Sequence, residues 1–309
     1  MKIVVLDGYA LNPGDLSWER FEALGELTVY DRTPRELIIE RIGDAELVIT
    51  NKTPIGKDIF EACPSIGYVG VLATGYNVVD IAEAHRLGVT VTNIPAYSTN
   101  TVAQHVFALL LDYCCGIGAH APTVRAGEWS RCADFTYRKS PLIELVGKTM
   151  GIIGNGLIGK RVAEIARVFG MNVITYSPSQ NPPSELEYLL ANSDVISLHC
   201  PLKADNAGFI CKSTIAKMKD GVIIINTARG GLINECELSE ALESGKVAFF
   251  GADVLSTEPP ADDNPLMSAK NCVITPHIAW APLEARMRLM NIAADNAEAY
   301  LNGQAINKV

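Results

Sequence analysis

The sequence predicts an α/β protein with parallel sheets covered by helices on both faces. Short apolar strands alternate with helical stretches over residues 1–98, and the alternation resumes from Gly147 to about Ile278. At the head of the second run, Val146 to Tyr176 reads as a strand, a glycine turn, an amphipathic helix and a second strand. A chain of 309 residues fits two domains of ordinary size.

In the first run the predicted strands are Ile3 to Leu6, Leu27 to Tyr30, Leu47 to Thr50, Gly67 to Val71 and Val89 to Thr92. Helices are predicted near Leu16 to Leu24, Pro34 to Ile42, Lys57 to Cys63 and Val79 to Leu87. Thr33-Pro34-Arg35-Glu36 places a threonine, a first-turn proline and a glutamate in capping-box register for the second of these. No phosphate-binding glycine turn occurs in this run. A long helix is predicted from Thr99 to Ile117; Pro122 and Gly127 follow, and the polar stretch beyond them through Trp129, Asp134, Tyr137 and Arg138 to Pro141 lacks periodicity, as a surface loop or a subunit interface would.

The second run opens with a strand from Met150 to Ile153 and a helix from Leu157 to Phe169, followed by a strand from Asn172 to Tyr176. Between the first two stands Gly154-Asn155-Gly156-Leu157-Ile158-Gly159, a GxGxxG in the strand–turn–helix setting that gives it meaning. The first glycine allows the tight turn and the second lets backbone N–H groups approach a pyrophosphate at the positive helix end. The third lets helix and strand pack closely. Strands at Val195 to His199, Val222 to Asn226, Phe249 to Asp253 and Val273 to Thr275 follow, with helices near Lys212 to Met218 and Glu235 to Ser244. These are the parts of a doubly wound dinucleotide-binding domain. A last long helix, Leu283 to Leu301, can return to the first domain, so that two long helices would form the hinge.

Composition excludes several classes of function. The chain is 48% hydrophobic and 20% charged with a net charge of −9, which disfavours nucleic acid or an anionic membrane surface as a partner. Eight scattered cysteines contain no CxxC pair, so they read as small apolar residues in a reducing compartment, with no metal site expected. The apolar run before Asp7 is too short for a signal-peptide core, and the window Val106 to Ala119 falls short of a membrane span. A cytoplasmic protein is expected.

In an open α/β sheet the ligand lies beyond the carboxyl ends of the strands. Arg229 stands there in INTARGG, able to clamp a carboxylate bidentately, beside two glycines that favour close backbone approach. Glu258 follows the strand ending at Asp253, and His277 follows the strand ending at Thr275. A histidine so placed suits general acid–base work on a carbonyl/alcohol pair. A neighbouring carboxylate orients an imidazole and favours its charged form.

Arg229 in NTARGG, Glu258 five residues after Asp253 in DVLSTEPP, and His277 in PHIAW resemble the Arg/Glu/His set of the D-isomer-specific 2-hydroxyacid dehydrogenases. The resemblance covers nearly the whole chain, including VLATGYNVVDIAEAHRLGVTVTNIPAYSTNTVAQH. It implies a Rossmann cofactor domain at residues 99–284 inserted into a flavodoxin-like substrate domain at 1–98 plus 285–309. It also implies that His277 protonates the substrate carbonyl, Glu258 supports the imidazolium and Arg229 binds the carboxylate and carbonyl of a 2-keto acid. Backbone N–H groups of Leu72, Ala73, Thr74 and Gly75 are expected on the carboxylate's other side. Cofactor contacts are implied for Thr101, the glycine turn, Ser177, His199-Cys200-Pro201, Thr227, Ala228 and Asp253, the last at the nicotinamide carboxamide. The family also implies a homodimer.

Within the family, LATGYN, Trp280 in HIAWA and the lead-in PLIELVGKTMGIIG are most similar to glycerate dehydrogenases, which interconvert hydroxypyruvate and D-glycerate. Val71 to Val79 contains no basic residue to neutralise the phosphate of a phosphoglycerate enzyme. Glyoxylate and other short 2-keto acids stay open as substrates. So do another oxidoreductase of this fold, such as one acting on phosphite, and an NAD(H)-sensing regulatory protein; the intact substrate loop favours the enzyme. After the second strand, where an NAD enzyme usually carries Asp or Glu, the chain has Tyr176-Ser177-Pro178-Ser179-Gln180. With neither an acid nor a base there, the reading is NAD(H), with NADP(H) as the alternative.

Overall fold

A computed structural model describes residues 1–309. The chain divides into two compact units, Met1–Tyr97 with Ala281–Val309, and Ser98–Trp280. In chain order the first unit contains β1 (Lys2–Val5), α1 (Glu19–Glu22), β2 (Glu26–Val29), α2 (Ile38–Ile42), β3 (Leu47–Thr50), α3 (Lys57–Ala62), β4 (Tyr68–Val71), α4 (Ile81–Leu87) and β5 (Thr90–Thr92). The second contains α5 (Thr99–Cys115), α6 (Ile117–Arg125), β6 (Thr149–Ile153), α7 (Leu157–Val168), β7 (Asn172–Tyr176), α8 (Pro183–Asn192), β8 (Val195–Leu198), α9 (Lys212–Ile215), β9 (Val222–Asn226), α10 (Glu235–Glu243), β10 (Val247–Ala252) and β11 (Cys272–Ile274). The closing helix, α11 (Leu283–Leu301), belongs to the first unit, where it packs on β4.

The first unit is a five-stranded parallel sheet of order β2-β1-β3-β4-β5, the flavodoxin-like order. Its topological switch point lies between β1 and β3. Asp7, just past β1, fills that position: its carboxylate accepts from the backbone N–H groups of Asn51, Lys52 and Thr53 at 2.7, 2.5 and 2.8 Å. A side-chain anion thus ties the loop after β1 to the loop after β3 at the carboxyl edge of the sheet. Arg286 of α11, 9% exposed, bonds both oxygens of Asp15 and the carbonyl of Leu11, tying the loop after β1 to the C-terminal helix.

The second unit is a six-stranded parallel sheet of order β11-β10-β9-β8-β6-β7. Its central strands are apolar throughout, as burial on both faces requires; β9, Val-Ile-Ile-Ile-Asn, is buried at every position. α5 lays Val102, Ala103, Val106, Phe107, Leu109, Leu110 and Cys114 along one buried face, and Tyr113 stacks on Phe249 of β10 with ring centroids 4.3 Å apart. The switch point falls between β6 and β8, so the loops after these two strands flank the crevice of the sheet.

Several sequence expectations need correction. The long helix stops at Cys115 because Gly116 turns left-handed (φ +62°), and a separate helix, α6, which the sequence reading does not contain, follows it. Thr33 caps nothing: Pro34 begins a short 3₁₀ turn without a side-chain cap, and the Thr33 hydroxyl donates to the Leu6 carbonyl and accepts from Arg41. The helices expected near Leu16 to Leu24 and Lys212 to Met218 shorten to single turns. Helix α8 has no counterpart in the sequence reading. No single helix is long and apolar enough to cross a membrane.

Candidate active site

The glycine turn follows β6 at the switch point. Gly154 takes φ +108°, where a Cβ would be strained, and one built there would lie 2.4 Å from the His199 backbone. Its N–H donates to the Tyr176 carbonyl at 2.8 Å, which ties the turn to the end of β7. A Cβ on Gly159 would lie 2.0 Å from the Gly154 carbonyl oxygen, so only glycine lets α7 begin this close to the turn. A Cβ on Gly156 would meet nothing within 4 Å, and no side chain caps α7 at this end. The backbone of Asn155, Gly156, Leu157 and Ile158 therefore presents an open cradle at the positive end of a twelve-residue helix.

Other predicted cofactor residues follow β8 and β9 or lie on α5. His199 follows β8; its Nε2 lies 2.8 Å from the Ser197 hydroxyl, and burial pushes its pKa down to about 3, so the ring is neutral. Cys200 is buried, which raises its thiol pKa, and the Pro201 carbonyl accepts from Asn206. Thr101 lies in the first turn of α5 and donates to the Ser98 carbonyl. Beyond β9, Thr227 Oγ1 is buried with no partner in the chain, a state that costs on the order of 1–3 kcal/mol unless a ligand bonds it. The open cradle and this orphaned hydroxyl both fit a bound dinucleotide.

The end of β7 carries more charge than its own residues. The Ser177 N–H donates to Asn181 Oδ1 at 2.8 Å, and Asn181 Nδ2 donates to Glu185 Oε2 at 2.6 Å. Glu185 sits in the first turn of α8, where the helix dipole favours an acid. A carboxylate thus stands one side chain away from Ser177, contributed by the following helix and not by the strand.

Strands β9, β10 and β11 are neighbours in the sheet, so Arg229, Glu258 and His277 follow three adjacent strand ends. His277 Nδ1 lies 2.6 Å from Glu258 Oε2, with the two side chains 35% and 39% exposed. Glu258 Oε1 accepts from the Leu255 N–H, so the carboxylate is held at both ends. With Nδ1–H facing an acceptor, Nε2 is the nitrogen that can exchange a proton with a ligand. Arg229 is exposed and donates to the Ala228 carbonyl.

Residues that sequence reasoning passed over hold this arrangement in place. Asn226, fully buried at the end of β9, closes the turn by donating to the Arg229 carbonyl and accepting from the Ala228 N–H, both at 3.0 Å. Glu235 of α10 accepts from the Ser256 N–H, the Ser256 hydroxyl and Asn264, pinning the loop that carries Glu258. A Cβ on Gly230 would lie 1.8 Å from the Leu255 carbonyl carbon, so that glycine lets the two strand-end loops touch. The polar Asn at the end of an apolar strand was the one signal available for these roles. Asp253 is 1% exposed, its carboxylate taken up by Thr275 and the backbone of Ile278 and Ala279. In the first unit, Leu72 to Gly75 form the loop after β4, where the Thr74 hydroxyl donates to the Ile94 carbonyl and the Thr74 carbonyl accepts from Asn93.

Residues 107–279 match the family model for the NAD binding domain of D-isomer specific 2-hydroxyacid dehydrogenases. The chain is 55% identical over 320 residues to a hydroxypyruvate reductase of Blautia hydrogenotrophica, covering 100% of this chain and 99% of that one. It is 40% identical over 313 residues to a glycerate dehydrogenase of Methylorubrum extorquens, covering 100% and 98%. An acyclic imino acid reductase solved with NADPH and D-Arg superposes over 100% of both chains with a TM-score of 0.88 at 32% identity. The chain belongs to the D-isomer-specific 2-hydroxyacid dehydrogenase family.

Proposed function

We propose that this protein is a glycerate dehydrogenase-type enzyme that reduces hydroxypyruvate to the D-2-hydroxy acid, with glyoxylate as a further substrate and NADH as the preferred reductant. The observation that carries the reading is the 2.6 Å contact between His277 Nδ1 and Glu258 Oε2, at strand ends adjacent to that of Arg229. The two full-length relatives named for hydroxypyruvate and glycerate support the substrate assignment.

The nicotinamide, when bound, supplies a hydride to the carbonyl carbon of the substrate. Arg229 binds the carboxylate and the carbonyl oxygen, and its fixed charge polarises the carbon that receives the hydride. His277 delivers the proton from Nε2 to the carbonyl oxygen, and Glu258 stabilises the charged imidazole through Nδ1 before the transfer. The first unit's part in this reading is the loop Leu72, Ala73, Thr74 and Gly75, whose N–H groups are assigned to the carboxylate. The second unit's part is the cradle from Gly154 to Gly159, which binds the pyrophosphate, with Thr101, Ser177, His199 to Pro201, Thr227, Ala228 and Asp253 lining the rest of the cofactor.

The preference for NADH is supported by Glu185, whose carboxylate reaches toward Ser177 through Asn181 and would repel a 2′-phosphate. A homodimer is proposed on the family resemblance, and a cytoplasmic location on the scattered cysteines, which read as reduced. The test is oxidation of NADH and NADPH by hydroxypyruvate, glyoxylate, pyruvate and longer 2-keto acids. The highest kcat/KM is expected for hydroxypyruvate with NADH, and a preference for NADPH above about tenfold, roughly 1.4 kcal/mol, would overturn the cofactor assignment. Tight NADH binding without oxidation by any of these acids would replace the enzyme by an NAD(H)-sensing regulator.

A further inference from the structure

His277 adopts φ +54°, a left-handed backbone conformation that few residues with side chains take. Something must hold that turn, and the holder is Asp253. One of its oxygens accepts from the Thr275 hydroxyl at 2.6 Å and from the Ile278 N–H at 2.9 Å, and the other accepts from the Ala279 N–H at 2.8 Å. The bonds come from both sides of His277, so the residue between them has little freedom.

The chain of contacts has a further member. His105 of α5 places Nε2 2.8 Å from the Thr275 hydroxyl and 3.6 Å from Asp253 Oδ1. The threonine hydroxyl has one proton, and the carboxylate at 2.6 Å is a better acceptor for it than the Ala252 carbonyl at 3.3 Å. The contact with His105 must then be Nε2–H donating to Thr275 Oγ1. That bond orients the hydroxyl toward Asp253, whose carboxylate is buried to 1% exposure and depends on each of its donors.

We propose that His105 is a positioning residue for His277: through Thr275 and Asp253 it fixes the turn that aims the His277 ring at Glu258 and at the substrate. His105 exchanges no proton in the reaction. The inference rests on the assignment of His277 as the acid–base group, and the test separates the two.

The experiment compares His105→Leu, which removes the donor, with His105→Gln, which retains an N–H in reach of Thr275, in hydroxypyruvate reduction by NADH. In His105→Leu, kcat is expected to fall about 10- to 100-fold, the loss that follows from a displacement of about 1 Å in a reacting group, with KM for the keto acid within about threefold. In His105→Gln most of kcat should return. A kcat for His105→Leu within about twofold of wild type, equal losses in both variants, or a loss expressed in KM alone would overturn the proposal. If His105→Leu does not fold, Thr275→Val decides: the same selective loss of kcat supports the relay, and an unchanged kcat refutes it. His277→Ala is the control. Full activity in that variant would instead remove the acid–base assignment, whereas its inactivity beside an active His105→Leu would remove only the positioning role.

Discussion

Two glycine-to-alanine substitutions in the same turn should behave differently. At Gly159 the added methyl would lie 2.0 Å from the Gly154 carbonyl oxygen and 3.2 Å from Ile152 Cγ2. Backbone cannot yield as a flexible side chain does, so α7 must move by more than about 1 Å to restore an ordinary carbon–oxygen separation near 3.3 Å. That shift carries the first-turn N–H groups of α7 away from the pyrophosphate and loosens the packing of helix on strand. At Gly156 the methyl meets nothing within 4 Å, and the backbone (φ −78°, ψ −167°) suits alanine, so the fold has no reason to weaken. The methyl does, however, occupy the cradle. Loss of one charge-assisted bond to the pyrophosphate costs about 1.5–3 kcal/mol, or roughly 10- to 150-fold in Kd. Gly159→Ala should therefore lose both thermal stability and NADH affinity, while Gly156→Ala should keep its melting temperature and lose affinity alone. Fluorescence titration with NADH and thermal unfolding of both variants measure the four quantities. Equal stability losses in the two variants, or an unchanged Kd in Gly156→Ala, would refute the reasoning about the turn.

Arg229→Ala should lose about 3 kcal/mol or more of kcat/KM for hydroxypyruvate, as expected when a charged partner of a carboxylate is removed, while NADH affinity holds; comparable losses in both would argue for a structural role. Glu185→Gln should narrow the ratio of kcat/KM for NADH to that for NADPH by about fivefold, the factor that corresponds to removing roughly 1 kcal/mol of like-charge repulsion in water-like surroundings. A ratio that does not move places Glu185 outside cofactor selection. His199 contributes to the response to mild acid. Its pKa is about 3 in the fold and near 6.5 in the unfolded chain, so its contribution is fully present above pH 6.5 and is lost as pH falls from there toward 3. The slope is at most about 1.4 kcal/mol per pH unit. Urea midpoints of wild type should drop between pH 7 and pH 5 more than those of His199→Gln, and parallel curves would count against the neutral ring.

What was legible in the sequence follows from where the physics is local. Parallel central strands must be apolar on both faces, so runs such as Val222 to Asn226 announce themselves, and the residues just past them fall at the carboxyl edge whatever the loops do. That is enough to bring Arg229, Glu258 and His277 to neighbouring strand ends from the sequence alone. The bonds that orient those side chains are a different matter. His105 and Thr275 are 170 residues apart and Glu258 and His277 are 19 apart, and no periodicity records which donor meets which acceptor. Helix α8 was hidden by its own start. Asn181-Pro182-Pro183-Ser184 has a loop's composition, yet a proline in the first turn costs a helix nothing, because the N–H it lacks has no intrahelical partner there. Missing that helix also hid Glu185, so the end of β7 read as uncharged when a carboxylate lies one side chain from Ser177. On the proposed NADH reading, the acid that distinguishes the two cofactors is supplied from outside the strand that usually bears it, so strand-end residues alone are an incomplete guide to the charge a cofactor would meet here.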